Sequence, residues 1–400
     1  MKEKLVIKNF GPIKSVELEL GRFNVLIGEQ ATGKSTVAKL LAVCRYFSYI
    51  AMDDAVYGGE TRFSAGLAAW GLNEAVKQNS YIFYECKHYA LTVEQKLTPM
   101  ISGTPEGKGK FYPLVFWPSL KPKSNDFKNL LSELKKIWSS PRQGPANRII
   151  PTSFFKNDVA NVMDNPFYLP AERGLQSIFS LGKSSIENIS DSLFNQFAQL
   201  DQISRLFGLD TDIEPLDIVY KNEQGKGYIR KNSEVQFYSL FNAASGYQST
   251  IPSVLVAKYY NEVRQKRKTI IIEEPELNLF PTTQQQLMQY MVHQVMNYNN
   301  SMLLTTHSPY VLASLNNMLY AHKIGQTYAE DVDKIISKKY WLNPSEFSAY
   351  RLLNDGTSKN IVDNELEEVE VEELDKAGKE INEAYDRILA IKFGRNEKPE

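Results

Sequence analysis

The feature that most restricts this chain is the stretch Gly28-Glu29-Gln30-Ala31-Thr32-Gly33-Lys34-Ser35, which matches G-x-x-x-x-G-K-S/T at every fixed position. It follows a short apolar run, FNVLI at 23–27, that reads as a buried parallel strand. It precedes a helical pattern from Ser35 to about Tyr49. Strand, tight turn and helix in succession are what this pattern requires. The glycines let the backbone wrap a phosphate, and amide N–H groups at the helix N-terminus point inward at it. Lys34 supplies positive charge to the β- and γ-phosphates of a nucleotide, and the Ser35 hydroxyl can ligate Mg²⁺. With Gly28 and Gly33, the residues Gln30, Ala31, Thr32 and Thr36 complete the candidate phosphate-binding set.

The rest of the composition bounds what can surround such a loop. At 400 residues the chain is long enough for two or three domains, or for one large domain with insertions. The 46 basic and 47 acidic residues exclude a uniformly basic nucleic-acid coat, though not a local basic patch. Cys44 and Cys86 are the only cysteines, which excludes a disulfide scaffold and a Cys-rich zinc site and points to a reducing compartment. The N-terminus mixes charge through its apolar residues, and nowhere do 18 apolar residues run together. The expectation is a soluble, cytoplasmic α/β protein with no membrane span. Charge is uneven, however: residues 361–400 hold 13 acids against 6 bases. The acidic stretch Asp363–Asp375 reads either as a solvated face or as a docking surface for a basic partner.

Along the chain, residues 3–8 and 15–20 alternate like a strand pair around the turn signal Asn9-Phe10-Gly11-Pro12. Residues 80–96 read as strands, and 103–125, rich in Gly, Pro and Lys, as a loop or insertion. An amphipathic helix is expected at 127–138, a short strand at 166–170 and helical periodicity at 185–208. Residues 217–239 read as a hairpin with Gln224-Gly225 near its turn and four bases around it: Lys221, Lys226, Arg230 and Lys231. A helix over 251–265 leads to a strand at 269–272, a Gln-rich helix at 282–297, a strand at 302–305 and a final helix at 373–393.

Three further constellations carry chemistry. In Thr269–Glu276, TIIIEEPE, three isoleucines form a buried strand that delivers carboxylates to its C-terminal end. Glu273 would hold Mg²⁺ through water, and Glu274 would orient and deprotonate an attacking water. After the apolar MLL, Thr305-Thr306-His307-Ser308-Pro309 puts one of only four histidines at a strand end, where it can sense a γ-phosphate. Ala244-Ser245-Gly246-Tyr247-Gln248 reads as a helix start, with Ser245 or Ser249 capping the helix at 251–265. It also reads as an anion-binding helix N-terminus that a second protomer would offer to that phosphate.

Together and in this order, these four resemble the ABC-type ATPase superfamily, and more narrowly its branch shared by the RecF, SMC and Rad50 proteins and the OLD-like ATPases of bacterial anti-phage defence. The opening IKNFGPIKSVELELGRFNVLIGEQATGKST is similar to the start of that branch. ASGYQS stands at the family's signature, EEPELNLFP at its Walker B and D-loop, and TTHSPYVL at its H-loop. Asn278 and Phe280 replace histidines frequent in the D-loop stretch, and Glu273 replaces the usual Asp. YLPAER at 168–173 resembles a segment of the defence-type members at the Q-loop position, whose Gln is replaced by Ala171 or Glu172, with Arg173 next to them. There is no C-x-x-C for a zinc hook, and no Toprim carboxylate pattern follows residue 340.

The resemblance implies an ABC-ATPase-type P-loop fold: a mixed sheet core, an antiparallel β subdomain, and a helical lobe inserted between Walker A and signature. The expected divisions are an ATPase lobe at 1–97, an insertion at 98–165, a Q-loop-like segment at 166–174, a helical and hairpin lobe at 175–243, a second ATPase lobe at 244–350, and an acidic segment with a helix at 351–400. It implies ATP and Mg²⁺ as cofactors, Glu274 and His307 as catalytic residues, Ser35 and Glu273 on the metal, and Ser245, Gly246 and Gln248 reaching the nucleotide of a second copy in a homodimer or higher homo-oligomer with composite sites. The implied role is the sensor or regulatory subunit of an anti-phage system acting on a separate nuclease or toxin. The competing expectation is a repair or chromosome-associated ATPase that gates DNA binding.

Overall fold

Alternation of side chains along three short strands decides the architecture. In the computed structural model, which describes residues 3–57, 60–97, 114–125, 128–129, 132, 166–171, 191–264, 268–298, 300–363 and 365–370, the strands β3 (Phe23–Gly28), β12 (Thr269–Glu273) and β13 (Ser301–Thr306) are buried almost throughout. Leu26, Ile271 and Leu303 project to one side, while Val25, Ile27, Ile270, Ile272, Met302 and Leu304 project to the other, each set into its own apolar core. A sheet buried on both faces is what near-continuous apolar runs predict.

The central sheet has six strands in the order β15-β14-β3-β13-β12-β7, with β7 at Phe167–Leu169, β14 at Phe347–Leu352 and β15 at Ser358–Asn360. Five are parallel and β15 is antiparallel, so the sheet is mixed. One core unites the helices α1 (Lys34–Tyr57) and α2 (Glu60–Ala69) with a five-stranded antiparallel sheet, β2-β1-β4-β5-β6. Its strands are β1 (Glu3–Phe10), β2 (Ile13–Leu20), β4 (Val76–Glu85), β5 (Tyr89–Leu97) and β6 (Leu114–Pro122). The other core joins helices α4 (Ser245–Lys258), α5 (Pro281–Met296) and α6 (Pro309–Gly325), together with α3 (Asp191–Arg205) and a four-stranded antiparallel sheet, β11-β10-β9-β8. In that sheet β8 spans Thr211–Ile213, β9 Ile218–Glu223, β10 Lys226–Lys231 and β11 Tyr238–Ser239. The chain is thus an α/β protein with a mixed core sheet and antiparallel sheets beside it.

Two local expectations are corrected. Residues 114–122, read as part of a loop, form β6, paired with β5 from Tyr89↔Pro122 to Leu97↔Leu114. Its prolines, Pro118 and Pro122, suggested loop, but β6 lies at the edge of its sheet, where proline is tolerated. The helix expected at 251–265 begins six residues earlier, at Ser245. Pro252 suits a first helical turn and so marked a false start; the helix runs through it and ends in a π-helical turn at Tyr259–Val263. Neither Ser245 nor Ser249 caps it, since the N-cap is Ala244 and makes no side-chain bond. The helices expected at 127–138 and 373–393 lie largely or wholly outside the described residues, as do Glu172 and Arg173.

The hairpin turns as expected at Gln224-Gly225, both at positive φ. Its bases are largely occupied. Lys221 pairs with Glu223 at 2.6 Å, Arg230 with Asp210 at 3.4 Å and Lys231 with Glu234 at 3.7 Å, and Lys221 and Arg230 both lie over the Phe237 ring. In the acidic stretch, Glu368 lies 4.0 Å from Lys323 and Glu370 pairs with Lys359, so these two carboxylates are not free for a partner. Among the described residues no helix is long and apolar enough to cross a membrane.

Packing at the end of α6 gives a stability test. A Cβ on Gly325 would fall 2.2 Å from the buried ring of Trp341, whose indole N–H donates to the Ile336 carbonyl at 2.8 Å. Gly325→Ala should therefore cost about 1–3 kcal/mol through overpacking and lower the thermal midpoint. An unchanged melting curve would contradict this packing.

Candidate functional site

The parallel register brings the C-terminal ends of β3, β13 and β12 side by side. Thr306 stands opposite Ile27, and Thr305 lies between Leu26 and Glu273. In open α/β sheets this edge is where ligands bind. Each strand continues into a turn that carries polar residues.

After β3, residues 29–33 form the loop and Lys34 opens α1. Ala31 and Gly33 both have positive φ, 62° and 96°. Gly33 is demanded twice, because a Cβ there would also press on Pro12 and Ile13 of the β1–β2 turn, at 3.1 and 3.2 Å. The Thr32 hydroxyl donates to the Glu29 carbonyl at 2.9 Å, pinning the loop from inside. Lys34 is 6% exposed, and its Nζ donates to the carbonyls of Gly28 (2.9 Å) and Glu29 (2.8 Å). Burial holds its pKa below the ordinary lysine value, while Glu274, Glu273 and Glu276 pull it back up. Gln30 and Ser35 are exposed and Thr36 is half-buried.

After β12 the chain reverses at Glu274, a non-glycine residue with φ 44°, whose N–H donates to the Thr305 carbonyl at 2.8 Å. Glu273 stays buried at the strand end. The Glu274 carboxylate reaches His307 after β13, with Oε1 3.3 Å from Nε2. The other ring nitrogen, Nδ1, lies 3.5 Å from Lys34 Nζ. Because a lysine ammonium only donates and a carboxylate only accepts, the tautomer that satisfies both contacts carries its proton on Nε2. Lys34, His307 and Glu274 thus form one line of contacts across three strand ends.

Glu276 belongs to the same cluster and was not singled out from the sequence. It is 7% exposed, and its Oε1 accepts from the Thr306 hydroxyl (2.5 Å) and the His307 backbone N–H (3.1 Å). Burial pushes its carboxyl above the ordinary carboxylate range, with Glu274 adding to the rise and the two hydrogen bonds opposing it. The available signal was the third acid of EEPE lying so close to an apolar strand.

The Ser245 helix start stands apart. Among the described residues no hydrogen bond joins Ser245, Gly246 or Gln248 to residues 28–36. Gln248 Nε2 instead donates to the carbonyls of Phe241 and Ala243, at 3.0 and 2.8 Å. Ser245 is exposed. A Cβ on Gly246 would lie 2.8 Å from the Asn278 carbonyl, and the Ser249 hydroxyl donates to the Leu277 carbonyl at 2.8 Å. The helix start is therefore seated on the turn that follows Glu274. Asn278 and Phe280, on that turn, are exposed. At the far side of β12, β7 leads through Pro170 to Ala171, with Leu169 registered against Ile272.

Residues 118–312, a little under half of the chain, match a family model described as an AAA ATPase domain. The match takes in Glu273, Glu274, Glu276 and His307 but not the 28–35 loop. A comparison with curated proteins finds no match. Among solved structures the chain is similar to an Smc head bound to the C-terminal winged-helix domain of ScpA (10% identity, 90% of this chain and 96% of that one, TM-score 0.45). It is also similar to the SMC head domain from Thermotoga maritima (10% identity, 90% and 98%, TM-score 0.40). A third is the Smc head domain with an extended coiled coil bound to the C-terminal domain of ScpA, from Pyrococcus furiosus (9% identity, 95% and 99%, TM-score 0.39).

The Glu276 environment predicts a pH dependence. Its folded pKa is raised above 4.5, so the folded chain holds this proton more tightly than the unfolded chain. Its contribution to stability therefore falls as pH rises from the unfolded value through the folded one. Glu276→Gln removes the buried charge, so the variant should melt above wild type at pH 7.5, by a margin that shrinks as pH is lowered toward 4.5. Thermal melts across that range check this; a margin that grows at low pH would contradict it.

Proposed function

We propose that this protein is an ATP-driven switch of the ABC type, in which two copies close around nucleotide and hydrolysis reopens them. The observation that carries the reading is the line of contacts from Lys34 through His307 to Glu274, at the mouth of a glycine-bearing loop. A cation for phosphates, a group that can report on the terminal phosphate and a carboxylate for water meet within one cluster. Phosphoryl transfer to water asks little of a protein beyond positioning and charge neutralisation.

Gly28, Gln30, Ala31, Thr32, Gly33, Lys34, Ser35 and Thr36 would hold the triphosphate. Lys34 Nζ would exchange the carbonyls of Gly28 and Glu29 for phosphate oxygens, which suits a buried ammonium. Ser35 and Glu273 supply the hydroxyl and carboxylate oxygens that Mg²⁺ takes. When bound, that ion neutralises charge on the β- and γ-phosphates. Glu274 would accept the proton of the attacking water, and His307 Nε2–H would donate toward the terminal phosphate. Ser245 and Gly246 of a second copy would complete the site, with Gln248 bracing their loop. The exposure of that helix start, seated on the turn after Glu274, supports this division.

The output we propose is control of a separate effector, a nuclease or toxin, by a cytoplasmic protein of an anti-phage system. Its support is the resemblance of YLPAER and the surrounding motifs to defence-type members. A DNA-gating role gains nothing from the hairpin, where Lys221, Arg230 and Lys231 already have acidic neighbours.

Two substitutions test the ATPase reading. Lys34→Ala should abolish tight binding of Mg·ATP, measured by titration with a fluorescent analogue; unchanged affinity would refute the loop assignment. Glu274→Gln should bind as wild type does and lose turnover by about 10²-fold or more, the range a general base supplies. Undiminished phosphate release would move the base elsewhere, with Glu273 the first alternative.

A further inference from the structure

The backbone of His307 is bonded to a carboxylate, Glu276, that has no part in the reaction proposed for this site. Two kinds of bond tie the turn after β12 to the end of β13. The first is the backbone bond from Glu274 N–H to the Thr305 carbonyl. The second is made by Glu276, whose Oε1 accepts from both Thr306 Oγ1 and the His307 N–H. Thr306 Oγ1 accepts in turn from the Ser308 N–H at 2.9 Å, so residues 306–308 are gathered around one carboxylate oxygen. Glu276 Oε2 is buried and has no hydrogen-bond partner among the described residues.

The His307 side chain is less enclosed, at 31% exposure, and its two ring nitrogens lie 3.5 Å from Lys34 Nζ and 3.3 Å from Glu274 Oε1. The backbone N–H of the residue that carries that ring is held by Glu276. Thr306 cannot turn away either, because its hydroxyl is engaged on both sides.

We infer that Glu276 is a positioning residue: its Oε1 fixes the backbone of Thr306 and His307 and thereby aims the imidazole between Lys34 and Glu274. The inference rests on the ATPase reading of His307. The role needs an acceptor oxygen and not a negative charge, because a proton on Oε2 leaves Oε1 able to accept both bonds. Glutamine supplies the same acceptor. Methionine has similar length and no strong acceptor.

The test compares Glu276→Gln and Glu276→Met in steady-state ATP turnover and in binding of a non-hydrolysable ATP analogue. The Met variant should lose about 10–100-fold in kcat, the scale of a misplacement near 1 Å, with KM and analogue affinity within about threefold of wild type. The Gln variant should keep kcat within about threefold. In a His307→Ala background the Met change should cost no further turnover, since residues acting as a unit do not add. Should the Met variant lose cooperative melting, Thr306→Val takes its place, removing one of the two bonds and lowering kcat about three- to tenfold, again with no further loss beside His307→Ala.

Wild-type turnover in the Met variant, a Gln variant that falls as far as Met, or a Met loss that persists beside His307→Ala would each overturn the inference while leaving the ATPase reading standing. A wild-type chain that binds Mg·ATP and never hydrolyses it would overturn both.

Discussion

Thr305 is the residue from which the site is hung. It is registered against Leu26 of β3 on one side and Glu273 of β12 on the other, and its carbonyl takes the N–H of Glu274. Shift β13 by one residue and the side chains fitted to each core would be exchanged, because successive side chains point to opposite faces. The two apolar cores that Leu303 and Leu304 enter on opposite sides therefore lock the register. Locking the register places His307 level with both the phosphate-type loop and the acidic turn. The polar contacts of the site are few and short-ranged; their alignment comes from burial of the strands behind them.

How much of this was visible beforehand depends on whether the signal was local. The 28–35 loop, the isoleucine strand and the Gln224-Gly225 turn were readable because each carries its own backbone chemistry: glycines, an unbroken apolar run, residues that tolerate positive φ. The pairing of β14 with β3 was not readable, since Phe347 and Phe23 meet from distant parts of the chain and no spacing encodes it. β6 and the start of α4 were misread for one physical reason. Proline forbids only a particular hydrogen bond, and an edge strand, or a helix that runs on through Pro252, can do without it. Glu276 was overlooked because assigning acids by motif position stops at Glu274. Its role comes from burial against Thr306 and His307, which belong to another strand.

The turn after β12 faces two ways. Through Glu274 and Glu276 it holds His307 on its own side, and through Leu277 and Asn278 it seats the start of α4, where Ser249 and Gly246 meet backbone carbonyls. That helix start is exposed and makes no bond to the loop of its own chain. A change at the terminal phosphate felt by His307 would thus be felt, through one short segment, by the surface offered to another molecule. This is the physical content of a switch: one packed element biased by both sites.

The central claim is that this surface completes the nucleotide site of a second copy. The mass of the Glu274→Gln chain in solution, measured by sedimentation equilibrium with Mg·ATP and then with Mg·ADP, addresses it most directly. The account predicts a dimer with ATP and a monomer with ADP. A chain that remains monomeric with ATP demonstrably bound would contradict it.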